Sequence, residues 1–385
     1  MVNWSALSPD LLVQIAKRVK LLDDFVAFRG VCSSWRSAAN MRNFMFKYDQ
    51  LPLLMLAPRE SSNRRDFFNI SKGVSRQVCL PEANDKKTLS SKGWLLTIDR
   101  DWRIFLLHLY SRVRIELPNI KSFEDWDADD CISPNIMRLF FLHKFVLSSS
   151  PLEDEDYIVM VIYGCDGKLA YFKPGCKTWI TVHPTCSQFM GFSDVFYYQS
   201  KFYAIDFLGQ LMVCDFSSDN CNPVDQLLAE MPSGLVRTKV IDKLYLVVVS
   251  HGVFWVIQRH GVSARPGSNC TTGNSVFHVF EVKLSTNSSS WFEIKDLGNR
   301  SLFVGHNSSF SVVSHISDCK PNCIYFTDDF PESCWWVAIE EGVELEGAGK
   351  DMGIYCIQDG SIVPHFEGES YHFLSPPMWV ERSFN

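Results

Sequence analysis

Three groups of residues in this 385-residue chain are of types that carry chemistry. Cys319 and Cys323 have a spacing that could serve a metal ion. A structural zinc also needs a second Cys or His pair at a matching interval, and none follows. Two acidic runs, Glu124-Asp125-Trp126-Asp127-Ala128-Asp129-Asp130 and Glu153-Asp154-Glu155-Asp156, hold carboxylates of the kind that cleave glycosidic bonds. That reaction needs two carboxylates facing each other across a cleft, whereas a run of like charge reads as a solvated loop or a patch steering a basic partner. His365 and His372 lie seven apart among short strands and loops and read as surface histidines. The phosphate-binding GxxxxGK(S/T), the dinucleotide GxGxxG, the nucleophile elbow GxSxG and the zinc helix HExxH are all missing. The expectation is a chain without catalytic residues, cofactor or metal. Its 13 cysteines, odd in number and scattered, suit reduced thiols that fill apolar space.

With no reactive constellation to position, the elements themselves carry the argument, beginning with residues 4–44. Ser8 can cap a helix, Pro9 suits its first position and Asp10 favours its positive end. Leu11, Leu12, Ile15 and Val19 follow at helical spacing. Asp23 or Asp24 can begin a second helix with Phe25 and Phe28, and Val31, Cys32 and Trp35 make a third apolar stripe. A unit of ~40 residues is near the lower limit of independent folding and cannot hide this much apolar surface, which points to a partner.

The pattern Leu7-x-Pro9-Asp10-Leu11-Leu12-x-x-Ile15, then Arg29-x-Val31-Cys32-x-x-Trp35-Arg36, resembles an F-box, the module that docks on the Skp adaptor of SCF (Skp–cullin–F-box) ubiquitin ligases. The resemblance implies that Leu7, Pro9, Leu11, Leu12 and Ile15 face the adaptor. It also implies that Val31, Cys32 and Trp35 extend or support that surface. Many F-boxes place a proline between the first two helices, where this chain runs Lys20-Leu21-Leu22-Asp23. The module is assigned to residues 1–47.

From about Leu51 the texture becomes one of short Val, Ile, Phe, Tyr and Trp runs between Gly, Asp, Asn and Ser turns. Tyr157–Tyr163 and Lys168–Phe172 flank an Asp-Gly and read as a hairpin, as do Lys201–Asp206 with Gln210–Phe216 and Ile354–Ile357 with Ser361–Val363. Gly167 and Gly209 stand 42 residues apart, near the period of a propeller blade. An aromatic strand, a polar turn and a Trp-led strand occur at 169–182 and again at 277–294, as expected for the outer two strands of a blade with the tryptophan between sheets. A sandwich of ~335 residues would be unusually large, and six or seven blades of ~45–50 residues fit that length. The fold class expected is a small all-α module followed by a large all-β domain, a six- or seven-bladed β-propeller over residues 48–385, with a flexible insertion near 260–274.

This second region resembles the plant KIB-type β-propeller, a domain found behind F-boxes. The matching residues include Ser91–Thr97, Phe202–Asp206, Tyr245–Val247, Leu302–Val312 (LFVGHNSSFSV), Pro321–Asp329 and the final Pro376-Pro377-Met378-Trp379. The family often has an Asn-Pro turn where this chain has Leu106–Tyr110, so an irregular hairpin is expected there.

The net charge is −7, and residues 1–50 carry seven Lys and Arg against four Asp and Glu, which leaves the body acidic. That argues against nonspecific nucleic-acid binding, and no apolar run reaches the ~20 residues of a membrane span. An intracellular location, cytoplasm or nucleus, is expected. The resemblances together imply a substrate receptor: the F-box would hold the Skp adaptor, and through it the cullin and RING subunits, while propeller loops would hold a target protein whose identity and contact residues the sequence does not give. The alternatives are a Skp-bound scaffold without degradation and, from another class, a propeller enzyme such as a carbohydrate hydrolase.

Overall fold

The computed structural model describes residues 4, 7–19, 22–39, 51–59, 62–124, 126, 134–184, 189–216, 224–235, 243–260, 275–285, 288–314, 319–329 and 349–382. The insertion expected at 260–274 lies outside them apart from His260, as does the boundary drawn between 47 and 48. Of the first acidic run only Glu124 and Trp126 are included.

Three short helices come first. In α1 (Pro9–Ala16), the Ser8 hydroxyl accepts the Leu11 N–H at 3.4 Å, Pro9 opens the first turn and Asp10 sits at its positive end. Helices α2 (Leu22–Gly30) and α3 (Ser33–Ala38) pack against it around Leu12, Ala16, Phe25, Phe28, Ala38 and Ala39.

The rest is a six-bladed β-propeller, with six sheets among the described residues. Blade 2 runs β4 (Lys87–Ser91), β5 (Trp94–Ile98), β6 (Ile104–His108), β7 (Arg114–Leu117), each strand pairing antiparallel with the next. After helix α4 (Pro134–Phe140), blade 3 repeats the meander with β8 (Leu142–Leu147), β9 (Val159–Tyr163), β10 (Lys168–Phe172) and β11 (Ile180–Val182). Blade 4 consists of β12 (Phe192–Tyr198), β13 (Lys201–Asp206), β14 (Gln210–Asp215) and β15 (Val224–Glu230). Blade 5 consists of β16 (Lys243–Ser250), β17 (Val253–His260), β18 (Val276–Ser285) and β19 (Ser288–Ile294). Strands such as β9 (VMVIY) are buried along their whole length, which is why they read as continuous apolar runs without alternation.

Blades 1 and 6 depart from this meander. Blade 1 takes β1 (Leu53–Met55), β2 (Arg64–Asn69) and β3 (Val74–Cys79) from one end of the described chain and β25 (Met378–Val380) from the other. Leu54 pairs with Trp379, so the ring is closed by a strand more than 300 residues away in sequence. In blade 6, β20 (Arg300–Val304) pairs antiparallel with β21 (Phe310–Val313) on one side and parallel with β22 (Cys323–Phe326) on the other, with β23 (Gly353–Cys356) and β24 (Ile362–Val363) outside them.

Each gap between neighbouring blades holds an apolar cluster. Trp179 stacks on Phe123 with centroids 4.9 Å apart between blades 2 and 3, and donates its indole N–H to the Pro118 carbonyl at 3.0 Å. Trp291 packs partly buried on the cluster between blades 4 and 5. The two recurrent Trp-led segments are therefore the outer strands of blades 3 and 5, as their pattern predicts. In the hairpin expected to be irregular, residues 109–113 join β6 to β7, with Arg112 at φ 64°. Its Tyr110 packs against both the cluster between blades 1 and 2 and the helical cluster, so this connection is where propeller and helices meet.

Candidate functional site

The helical module divides its apolar residues into two sets. Leu12 is completely buried, together with Ala16 and Phe25, and Phe28 lies against Trp35 with ring centroids 4.4 Å apart. Arg29 donates to the Ala39 carbonyl at 2.7 Å and Trp35 donates its indole N–H to the Trp4 carbonyl at 3.1 Å, which ties α2 and α3 to the segments beside them. The second set has no cover. Leu11 is 54% exposed, Ile15 41% and Val31 53%. Leu11 and Ile15 are four apart on α1 and share a face.

Pro9 is exposed, and Leu7, Cys32 and Trp35 are half-buried. Leu12, which the resemblance implies on the adaptor face, points into the helical core of the free chain. The reason is geometric. Consecutive residues on a helix are ~100° apart, so Leu11 and Leu12 cannot both face outward when the narrow face toward α2 and α3 claims one of them. The outward set is thus Pro9, Leu11, Ile15 and Val31, with Leu7, Cys32 and Trp35 at its margin.

The propeller axis is of the opposite character. Lys144 on β8 lies 2.6 Å from Asp194 on β12, and the Ser309 hydroxyl donates to the same carboxylate at 2.6 Å while accepting from Lys144 at 3.1 Å. Asp194 also accepts the Leu246 N–H at 2.8 Å. A second knot is centred on Asp329, which accepts from Tyr245 at 2.9 Å and from Arg259 at 3.1 Å and pairs with Lys243 at 3.2 Å. Arg259 reaches Asp351 at 2.8 Å, and Ser275 donates to that carboxylate at 2.8 Å. Burial lowers the Lys144 pKa despite the opposing pull of Asp194. Burial also acts to lower that of Arg259, but Tyr245, Asp351 and Asp329 outweigh it and raise the guanidinium above its ordinary value. Burial would raise Asp329, yet Lys243 and Arg259 hold it below the usual carboxylate range.

One segment ties the first knot to the other blades. After β20 the chain turns at Gly305 and crosses the axis: Ser308 N donates to Ser90 O at 2.9 Å on blade 2, Ser309 reaches blades 3 and 4, and the Ser308 hydroxyl lies 3.4 Å from the Glu381 carboxylate, which follows β25. Glu381 also accepts the Lys92 N–H at 2.6 Å. Residues 305–309 thus lace four other blades together.

Sequence reasoning singled out LFVGHNSSFSV as a motif but not the partners of its serines. The available signal was a charge inside an apolar strand: Lys144 in LHKFVL, Asp194 in FSDVFYY and Arg259 in FWVIQRH. Elsewhere, Cys319 and Cys323 lie in the apolar cluster between blades 6 and 1. His365, expected at the surface, is 6% exposed and hydrogen-bonds to the Phe326 carbonyl at 3.0 Å, because β22 and Trp379 cover it. Among the described residues no group of three His, Cys, Asp or Glu is placed to hold a metal ion. No helix among them is long and apolar enough to cross a membrane.

A family model described as the KIB1-4 beta-propeller matches residues 67–356, and one described as the F-box domain matches residues 4–47. The F-box protein SKIP23 of Arabidopsis thaliana is 25% identical over an alignment covering 99% of this chain and 96% of that protein. The F-box protein At2g17036 of the same plant is also 25% identical, covering 100% of this chain and 96% of its own length. Among solved structures, the N-terminal domain of Nup159 aligns with a TM-score of 0.39 at 10% identity, covering 84% of this chain and 78% of that one, a likeness too slight to carry an argument.

Proposed function

Because the chain belongs to the family of F-box proteins that carry a KIB1-4 β-propeller, we propose that it is the substrate receptor of an SCF-type ubiquitin ligase. The observation that carries the reading is the division of apolar residues in the helices. Leu12, Ala16, Phe25 and Phe28 fill a core, while Leu11, Ile15 and Val31 stay outside it, at 54%, 41% and 53% exposure. Covering the outer three by an adaptor removes apolar area from water at roughly 25 cal/mol per Å². The adaptor assigned to them is Skp, with cullin and RING subunits attached through it.

The receptor end is the propeller. Its loops would hold a target protein while the charged conjugating enzyme, which carries its own catalytic cysteine, is brought near by the cullin. Transfer is then accelerated by effective concentration, and the receptor contributes no reacting group. Met190 and Phe207, 66% and 46% exposed on adjoining loops of blade 4, are apolar groups of the kind a protein target covers.

The test is co-purification of the full chain with the Skp adaptor. Wild-type chain should capture it, and a Leu11→Ala/Ile15→Ala chain should not while keeping the same circular dichroism. Failure of the wild type under conditions where another F-box protein succeeds overturns the reading. Affinity capture with the double variant, followed by mass spectrometry, should retain targets that the wild type sends to destruction. A target whose half-life is unchanged when cullin activation is blocked would mark a scaffold instead.

A further inference from the structure

Cys323 and Cys356 stand directly opposite each other on β22 and β23. Ile357 N donates to Asn322 O at 3.3 Å, so the neighbouring pair 322/357 is the hydrogen-bonded one. In an antiparallel ladder the two kinds of pair alternate, which makes 323/356 a non-hydrogen-bonded pair. The other edge agrees, because Cys356 N turns away to donate to Ser361 O at 2.9 Å. Non-hydrogen-bonded pairs bring side chains closest, with Cα atoms about 4.5 Å apart, inside the ~4.4–6.8 Å window of a disulfide. Both side chains lie on the same face, in the apolar cluster that also contains Cys319 and Trp379.

The two thiols differ in access. Cys323 is 4% exposed and Cys356 is half-buried. Burial, with Cys356 beside it, pushes the Cys323 thiol up to about 11, so it is not the first to react. Cys356 is the more accessible residue of the two, and Cys323 stands opposite it.

We propose that Cys323 and Cys356 form a site of reversible oxidative modification, closing a cross-strand disulfide when the chain meets a hydroperoxide. The Cys356 thiolate attacks one peroxide oxygen, the O–O bond breaks, and the other oxygen leaves as hydroxide and takes up the thiol's proton to become water. Cys356 is then a sulfenic acid. The Cys323 sulfur attacks the Cys356 sulfur, the S–O bond breaks, and the departing hydroxide leaves as water with the Cys323 proton. Two thiols have lost two electrons and two protons, and hydrogen peroxide has become two waters. A dithiol reductant reverses the bond by exchange. The crosslink joins two strands of blade 6 beside the strand that closes the ring, and encloses the chain between them.

The full-length chain, purified reduced, is treated with hydrogen peroxide, blocked with N-ethylmaleimide and mapped as peptides without reduction. A linked Cys323–Cys356 peptide, released by dithiothreitol, is expected, together with a thermal midpoint raised by several degrees over the reduced chain. The linkage should persist in Cys319→Ser, and Cys323→Ser should leave Cys356 as a sulfenic acid that dimedone traps. Peroxide that oxidises the exposed Cys165 while leaving Cys323 and Cys356 unlinked overturns the proposal, as does a Cys319–Cys323 linkage in their place. The wild-type map decides the matter even where a serine variant folds poorly.

Discussion

Lys144 Nζ lies 2.6 Å from Asp194 Oδ1, and the two side chains are 3% and 0% exposed. They belong to neighbouring blades, and Ser309 from a third blade bonds to both. Removing one member leaves the other charge buried without its counter-ion. Lys144→Met is expected to cost about 3–5 kcal/mol of unfolding free energy. Adding Asp194→Asn should recover only part of that, because the amide oxygen can still accept the Leu246 N–H but no longer carries charge. Guanidinium unfolding curves of the two variants provide the comparison; equal midpoints for wild type and Lys144→Met would dismiss the pair as a determinant of the axis.

The two leucines of α1 should behave oppositely. Leu11→Ala removes an exposed side chain and is expected to shift stability by no more than ~0.5 kcal/mol, whereas Leu12→Ala opens a cavity costing about 2–5 kcal/mol. Adaptor affinity should fall at least tenfold with Leu11→Ala. Thermal melts paired with binding curves separate loss of contact from loss of fold.

His365 makes the propeller sensitive to acid. Burial lowers its pKa from 6.5 to about 4, so the folded chain keeps the ring neutral while the unfolded chain protonates it. Stability from this group is complete above pH 6.5 and is lost as pH falls toward 4, by roughly 3 kcal/mol across the window. His372, lowered chiefly by burial, adds in the same direction. His365→Gln should flatten the unfolding free energy between pH 6.5 and 4; an unchanged slope would assign the acid sensitivity to other groups.

Gly305 begins the segment that crosses the axis, at φ +147°, and a Cβ there would stand 2.0 Å from the Thr327 hydroxyl. Gly305→Ala is expected to destabilise the chain by at least about 2 kcal/mol through the collision and the backbone conformation together. Thr327→Ala in the same chain should relieve the first cause and leave the second. Calorimetric midpoints of the single and double variants give the split.

The parts of the fold legible in the sequence are those made by neighbours along the chain. The hairpins at 157–172 and 201–216 could be read because a tight turn needs particular residues and both flanking strands are adjacent to it. The blade number could not, because blade 1 borrows β25 from the far end and blade 6 replaces a plain meander with the parallel pair β20 and β22. The candidate docking face was legible as a helical stripe, but the stripe alone could not say that Leu12 turns inward. The buried axis was least legible. Ser309 and Asp194 are 115 residues apart, and nothing local in either segment names the other.

The pairing of Leu54 with Trp379 also sets an order of events during synthesis. A ribosome releases Met378–Val380 about 340 residues after the three helices, an interval of roughly 20–70 s at ~5–20 residues per second. Throughout it the edge of β1 that β25 will occupy, with Leu54 and Met55, lacks its neighbour, while the apolar face of α1 is already outside the ribosome. On the proposed receptor role, a nascent chain is therefore equipped to be held before it is equipped to hold anything, and a stalled one would occupy a partner without offering it a finished ring.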